Sequence, residues 1–140
     1  MEKVIQLDDL KVGEELPPLK KPAITKVQLV QYAGASGDFN PLHTDDAFAQ
    51  KMGMDGVIAH GMLIMGFLGE YVRKLAGEAA EIEQFSMRFG GMTVPGDEIS
   101  CHATVASIDK QSDKPYANLE LSAEKDSGEV VGTGKAVLYF

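Results

Sequence analysis

Between Gly61 and Leu75 the apolar residues Met62, Leu63, Ile64, Met65, Phe67, Leu68, Tyr71, Val72 and Leu75 wrap almost all the way round a helix. Such a helix must be covered on most of its sides, by lipid or by protein. The stretch is interrupted by Glu70, is followed by Arg73 and Lys74, and falls short of the roughly 20 apolar residues a spanning helix needs. It therefore reads as the buried helix of a core, with no membrane role. Gly66 and Gly69 inside it each weaken a helix by roughly 1 kcal/mol relative to Ala, a cost that makes sense if another backbone approaches closely.

The cover comes later in the chain. From residue 82 the period changes to two: Phe85, Met87 and Phe89 alternate with Ser86 and Arg88, and Ala117, Leu119, Leu121 and Ala123 alternate with Asn118, Glu120 and Ser122. This is the pattern of half-buried strands. Val94-Pro95-Gly96-Asp97 and Lys125-Asp126-Ser127-Gly128 supply turns, and further strands are predicted over Ile99 to Ile108 and Val130 to Tyr139. Ahead of the buried helix, Thr25 followed by Gln28 forms a capping-box pattern for a helix from Lys26 to Ala35. Asp45 to Met52 reads as a second, short helix stopped by Gly53. One buried helix followed by successive strands indicates an α+β layout, an antiparallel sheet with the helix on one face. With 140 residues, 44% hydrophobic and 24% charged, and no repeat or linker, residues 1–140 are read as one globular domain.

Charge and cysteine usage narrow the partners. Thirteen Lys and Arg against 21 Asp and Glu give a net charge of -8, which argues against a nucleic-acid partner, because that affinity rests on clustered cations. Cys101 is the only cysteine and cannot form an intramolecular disulfide. The stretch Met1 to Asp8 lacks the apolar run of a signal peptide, so a cytoplasmic location is expected.

Chemistry concentrates in Gly37-Asp38-Phe39-Asn40-Pro41-Leu42-His43. Pro41 removes a donor and biases Asn40 away from helix, so a bent loop can bring the Asp38 carboxylate and the His43 imidazole together. With no activated Ser or Cys beside them, the pair suits general acid–base work on water. Three other readings stay open. Asp38 can make an Asx turn while Asn40 fixes the loop and His43 merely packs. Asp38, His43, Asp45 and Asp46 can ligate a metal, although no second histidine follows at ligand spacing. Ser36 can act as a nucleophile, although no nucleophile elbow surrounds it. The favoured reading has no metal.

The second informative segment is Ile58-Ala59-His60-Gly61-Met62-Leu63. Gly61 opens the buried helix, where unpaired amide donors, partial positive charge and the absence of a Cβ equip the backbone to hold an oxyanion. His60 reads as a satisfied core or capping histidine in a supporting position. His102 and Cys101, in a strand, read as structural.

Together, Tyr32-Ala33-Gly34-Ala35-Ser36-Gly37-Asp38-Phe39-Asn40-Pro41-Leu42-His43 and Ala59-His60-Gly61-Met62-Leu63 resemble the MaoC-like hydratases, a family of (R)-specific enoyl-CoA hydratases and (R)-3-hydroxyacyl thioester dehydratases of fatty acid metabolism. The resemblance extends to the Pro95-Gly96-Asp97 turn. It implies a hot-dog fold, a curved antiparallel sheet wrapped around a central helix. It also implies pairing of two protomers as a homodimer or higher homo-oligomer, or as a heterodimer with another hot-dog subunit. By the same resemblance Asp38 and His43 are the catalytic pair, Asn40 orients them, and the Gly61 N–H binds the thioester carbonyl. The substrate is then carried on CoA or an acyl carrier protein, and no cofactor is required. Some members have a serine in the buried helix where this chain has Gly69 or a neighbouring small residue. The family also leaves alternatives: a subunit of a heteromeric dehydratase, an acyl-thioester-binding protein, or a thioesterase, for which Glu70 is the only carboxylate on the helix and is read as exposed.

Overall fold

The computed structural model describes residues 4–140. In chain order they form β1 (Leu19–Lys20), α1 (Lys26–Ser36), α2 (Asp46–Lys51), α3 (Gly61–Ala76), β2 (Glu81–Phe89), β3 (Ile99–Asp109), β4 (Tyr116–Lys125) and β5 (Val130–Tyr139), with short 3-10 turns at Leu7–Asp9 and Pro41–His43.

Local chemistry accounts for the helix boundaries. Gln28 N donates to Thr25 Oγ1 at 3.1 Å and Thr25 N donates to Gln28 Oε1 at 3.4 Å, so both halves of the capping box form at the start of α1. The helix ends one residue later than expected, at Gly37, whose φ of 76° only glycine adopts without strain. Asp45 stays outside α2 because its carboxylate accepts from Phe48 N as the N-cap, so α2 is one residue shorter at each end than the sequence pattern suggests.

The five strands form one sheet in the order β1-β3-β4-β5-β2, with every neighbouring pair antiparallel. Helix α3 packs across β2, β3, β4 and β5, burying Leu63, Ile64, Phe67, Leu68, Tyr71, Val72, Leu75 and Ala76. From the sheet, Ile99, Cys101, Ala103, Val105, Ala117, Leu119, Leu121, Ala123, Ala136 and Leu138 meet them. Each large aliphatic or aromatic chain in this set contributes about 1.5–3 kcal/mol by leaving water. This is the hot-dog arrangement.

Several expectations need correction. Met62 is exposed, so α3 is not covered all round. A Cβ at Gly66 would meet nothing, and one at Gly69 would make ordinary contact with the Phe85 ring at 3.6 Å; neither glycine serves a close backbone approach within this chain. Phe89 does not share the burial of Phe85 and Met87, because β2 is an edge strand and its last residue overhangs the start of α3. Glu70 is half-buried and paired with Lys21 at 2.7 Å and Lys74 at 3.2 Å. The amino-terminal segment, which shows no periodicity, supplies Ile5, Leu10, Leu16, Leu19 and Ile24 to the core. Hydrogen bonds from Leu16 N to Ala103 O and from Ile5 N to Leu75 O tie it down.

No helix among the described residues is long and apolar enough to cross a membrane.

Candidate active site

The site lies where three connections meet at the amino-terminal end of α3. The loop after α1 carries Asp38 and His43, the approach to α3 carries His60 and Gly61, and the crossover from β2 to β3 passes over both. Two backbone bonds hold these strands of chain together: Ile58 N donates to Leu42 O at 3.0 Å, and Ala59 N donates to Thr93 O at 2.8 Å.

The Asp38 loop is built from nested side-chain turns. Asp38 N donates to Ser36 Oγ, Asn40 N donates to Asp38 Oδ1, and Leu42 N donates to Asn40 Oδ1 at 3.0 Å. The Asn40 side chain therefore caps the Pro41–His43 turn that carries the imidazole. One Asp38 oxygen is spent on the turn and Oδ2 is left for the site. The Asx turn and the acid–base reading are thus compatible, since each uses a different oxygen.

His43 Nδ1 lies 2.7 Å from Ile58 O. A carbonyl can only accept, so Nδ1 carries the proton and Nε2 presents its lone pair. That nitrogen faces Asp38 Oδ2 at 3.9 Å, with the histidine side chain 12% exposed and the aspartate 53%. The gap is too long for a direct hydrogen bond and fits one water in reach of both atoms.

His60 is buried as a core histidine should be, but it is only partly satisfied. It is 2% exposed and occupies the N-cap of α3 without a side-chain cap bond. Its Nε2 donates to the Asp38 backbone carbonyl at 3.3 Å, while Nδ1 has no partner among the described residues. Its ring stacks on His43, with centroids 3.8 Å apart and 24° between planes, and meets Tyr32 edge-on at 4.8 Å. Burial, more than any other influence, holds its pKa below the ordinary histidine range, and the His43 ring acts in the same direction. His60 is a buried neutral ring, neither fully satisfied nor a cap.

The donor atoms of Asp38, His43 and His60 lie within 4.8 Å of one another, which revises the list of conceivable metal ligands. Asp45 caps α2 and Asp46 binds Lys26 and Val57 N, so both leave that list and His60 joins it. The fit is poor, because imidazole lone pairs lie in the ring plane and two stacked, nearly parallel rings do not aim theirs at one point.

A cavity of about 220 Å³ adjoins His43, and Ala59, Gly61, Ile64, Met87 and Val131 also line it. Gly61 stands first in α3, where the helix presents unpaired N–H groups. A Cβ there would press within 3.1 Å of the Phe89 ring. Thr93, which also lines the cavity, has a buried hydroxyl without a partner among the described residues. Nothing in its local sequence marked it.

The other residues singled out have structural partners. Ser36 Oγ donates to Tyr32 O as a helix-end bond. His102 has two partners, Ser100 Oγ two residues before it on the same strand at 2.9 Å and Glu124 Oε2 on the neighbouring strand at 3.6 Å. Burial pushes the Cys101 thiol up to about 12, leaving it unreactive at neutral pH.

A hot-dog sheet around one helix, with an aspartate and a histidine facing each other near that helix's amino terminus beside a small cavity, defines the class of protein. The comparisons with known proteins agree. The family model described as MaoC like domain matches residues 9–125. The (R)-specific enoyl-CoA hydratase of Aeromonas caviae is 32% identical over 130 residues, covering 92% of this chain and 94% of that enzyme. The solved structure of an (R)-hydratase from A. caviae involved in PHA biosynthesis superposes with a TM-score of 0.81 at 30% identity, covering 93% of this chain and 96% of that one. The fatty acid synthase beta subunit TOXC of Cochliobolus carbonum is 41% identical over 70 residues, which is 49% of this chain and only 3% of that much longer protein. The chain belongs to the MaoC-like family.

Proposed function

We propose that this protein catalyses the reversible hydration of trans-2-enoyl thioesters to (R)-3-hydroxyacyl thioesters. The observation that carries the reading is the opposition of His43 Nε2 and Asp38 Oδ2 across 3.9 Å, in a site that the first turn of α3 also borders. A water held between the two oxygen- and nitrogen-centred bases adds its oxygen to C3 of the enoyl group. The pair takes one proton from that water and returns one to C2, so the enzyme ends as it began, and dehydration is the same path reversed.

As C3 is attacked, negative charge gathers on the thioester carbonyl oxygen. The Gly61 N–H, at the positive end of α3, stabilises the charge where it develops. Asn40 fixes the turn under His43, and His60 fixes the Asp38 backbone from below. Proton transfer and charge stabilisation suffice for the step, so no cofactor or metal is invoked. The (R) outcome is supported by relatives named as (R)-specific hydratases, and both CoA and acyl carrier protein remain candidate carriers, since relatives are named for each.

A thioesterase would need a free carboxylate on the central helix. Glu70 is engaged by two lysines, which hold its pKa below the usual carboxylate range, and it does not line the cavity. A second hot-dog subunit, identical or different, is favoured by a separate observation: Phe89 and Met92, which line the cavity, are exposed, and one edge of β2 is unpaired. The test is incubation with crotonyl-CoA, alone and with an added partner subunit, followed by chiral analysis of the product. 3-Hydroxybutyryl-CoA of (R) configuration is expected; the (S) product, or free CoA without hydration, contradicts the reading.

A further inference from the structure

The cavity has one yielding wall. Its mouth is formed by exposed Phe89 and Met92, and its inner end by Ile64 and Val131, which are almost fully buried. Both inner residues are β-branched and stiff. Met87 also lines the space and is unbranched, with three rotatable bonds in its side chain. It sits on β2 opposite Gly134, and its side chain leans along β5 onto Gly132. A Cβ at Gly132 would collide with the Met87 methyl and stand 3.2 Å from its Sδ. The methionine thus fills the place that a side chain at 132 would take.

We propose that Met87, seated on Gly132, is the residue that selects acyl chain length, narrowing the cavity against all but short enoyl chains. The inference rests on the reading of the cavity as the acyl site of an enoyl thioester hydratase. The volume of about 220 Å³ lies below the roughly 300–1,000 Å³ of sites that hold drug-sized ligands, which fits a short acyl group and little more. The two residues act in opposite senses. Truncating Met87 joins the space over Gly132 to the cavity and lengthens it. Adding a methyl at 132 drives the end of Met87 off β5 and into the cavity, shortening it.

The experiment compares kcat/KM for four-carbon and eight-carbon trans-2-enoyl-CoA in the wild type, Met87→Ala and Gly132→Ala, with thermal melts to confirm that each variant is folded. Met87→Val, which shortens the side chain but keeps it apolar and suited to a strand, serves as a second variant should the alanine fail to fold. The wild type should prefer the four-carbon substrate. Met87→Ala should raise the eight-to-four ratio by about tenfold or more, the discrimination that a methylene or two of pocket depth provides, and Gly132→Ala should lower it. Met87→Val should raise the ratio too, by less than the alanine, and an unmoved ratio in a folded Met87→Val protein overturns the selector. A wild type active on enoyl-CoA whose ratio is unmoved in both alanine variants, or moves the same way in both, overturns the selector alone. A wild type inert toward every chain length overturns the hydratase reading, and the selector with it.

Discussion

The His60 ring lies stacked on the His43 ring at 3.8 Å while its Nε2 holds the backbone carbonyl of Asp38 at 3.3 Å. One buried residue therefore touches both members of the proposed acid–base pair, His43 through its ring face and the Asp38 backbone through its edge.

That arrangement carries a pH signature. Because burial lowers the pKa of His60 from its ordinary value of 6.5, the unfolded chain takes up a proton there more readily than the folded one. The stabilising contribution is full above about 6.5 and is lost as pH falls through the lowered folded value. Thermal melts run from about pH 8 to about pH 5 should show stability falling toward acid, and His60→Gln should flatten part of that slope. An unchanged slope in the variant would remove His60 as its source.

Gly61 allows the oxyanion role to be separated from sterics. Proline is tolerated at the first position of a helix, and the ψ of 133° at His60 suits a residue before proline. Gly61→Ala and Gly61→Pro both push on the Phe89 ring, but only the proline lacks the N–H. If that N–H binds the developing oxyanion, Gly61→Pro should lose about 10²–10³ in kcat relative to Gly61→Ala. Equal rates in the two variants would assign the role to another donor.

Glu70 should prove structural. Glu70→Gln removes the bonds to Lys21 and Lys74 and should lower the melting temperature at neutral pH while leaving hydration unchanged. The wild-type advantage should fade in acid, since a carboxylate with a lowered pKa contributes stability above its unfolded value of about 4.5 and loses it as pH falls through the folded value. Loss of turnover in a folded Glu70→Gln protein would reopen the thioesterase reading.

What could be read from the sequence was what is local. The alternation in β4, the capping box of α1 and the apolar wrap of α3 each follow from neighbours within one or two turns or strand repeats. The Asp38 loop was legible for the same reason, as Gly37, Asn40 and Pro41 shape it through bonds spanning a few residues. The rest depends on contacts distant in the chain. Ile5, Leu10 and Leu16 gain their burial from β3 and α3, and β1 is only two residues long. Glu70 meets Lys21 from 49 residues away. The burial of His60 was expected, but its contact with the Asp38 loop was not, because Asp38 lies 22 residues back.

The most direct test follows the enoyl absorbance of crotonyl-CoA with the wild type, Asp38→Asn and His43→Ala, each shown to be folded by its melt. The wild type should remove the absorbance by adding water, and each variant should fall by about 10²–10⁴-fold, the span of general acid–base catalysis, with its melting transition retained. Wild-type rates in both folded variants would contradict the account.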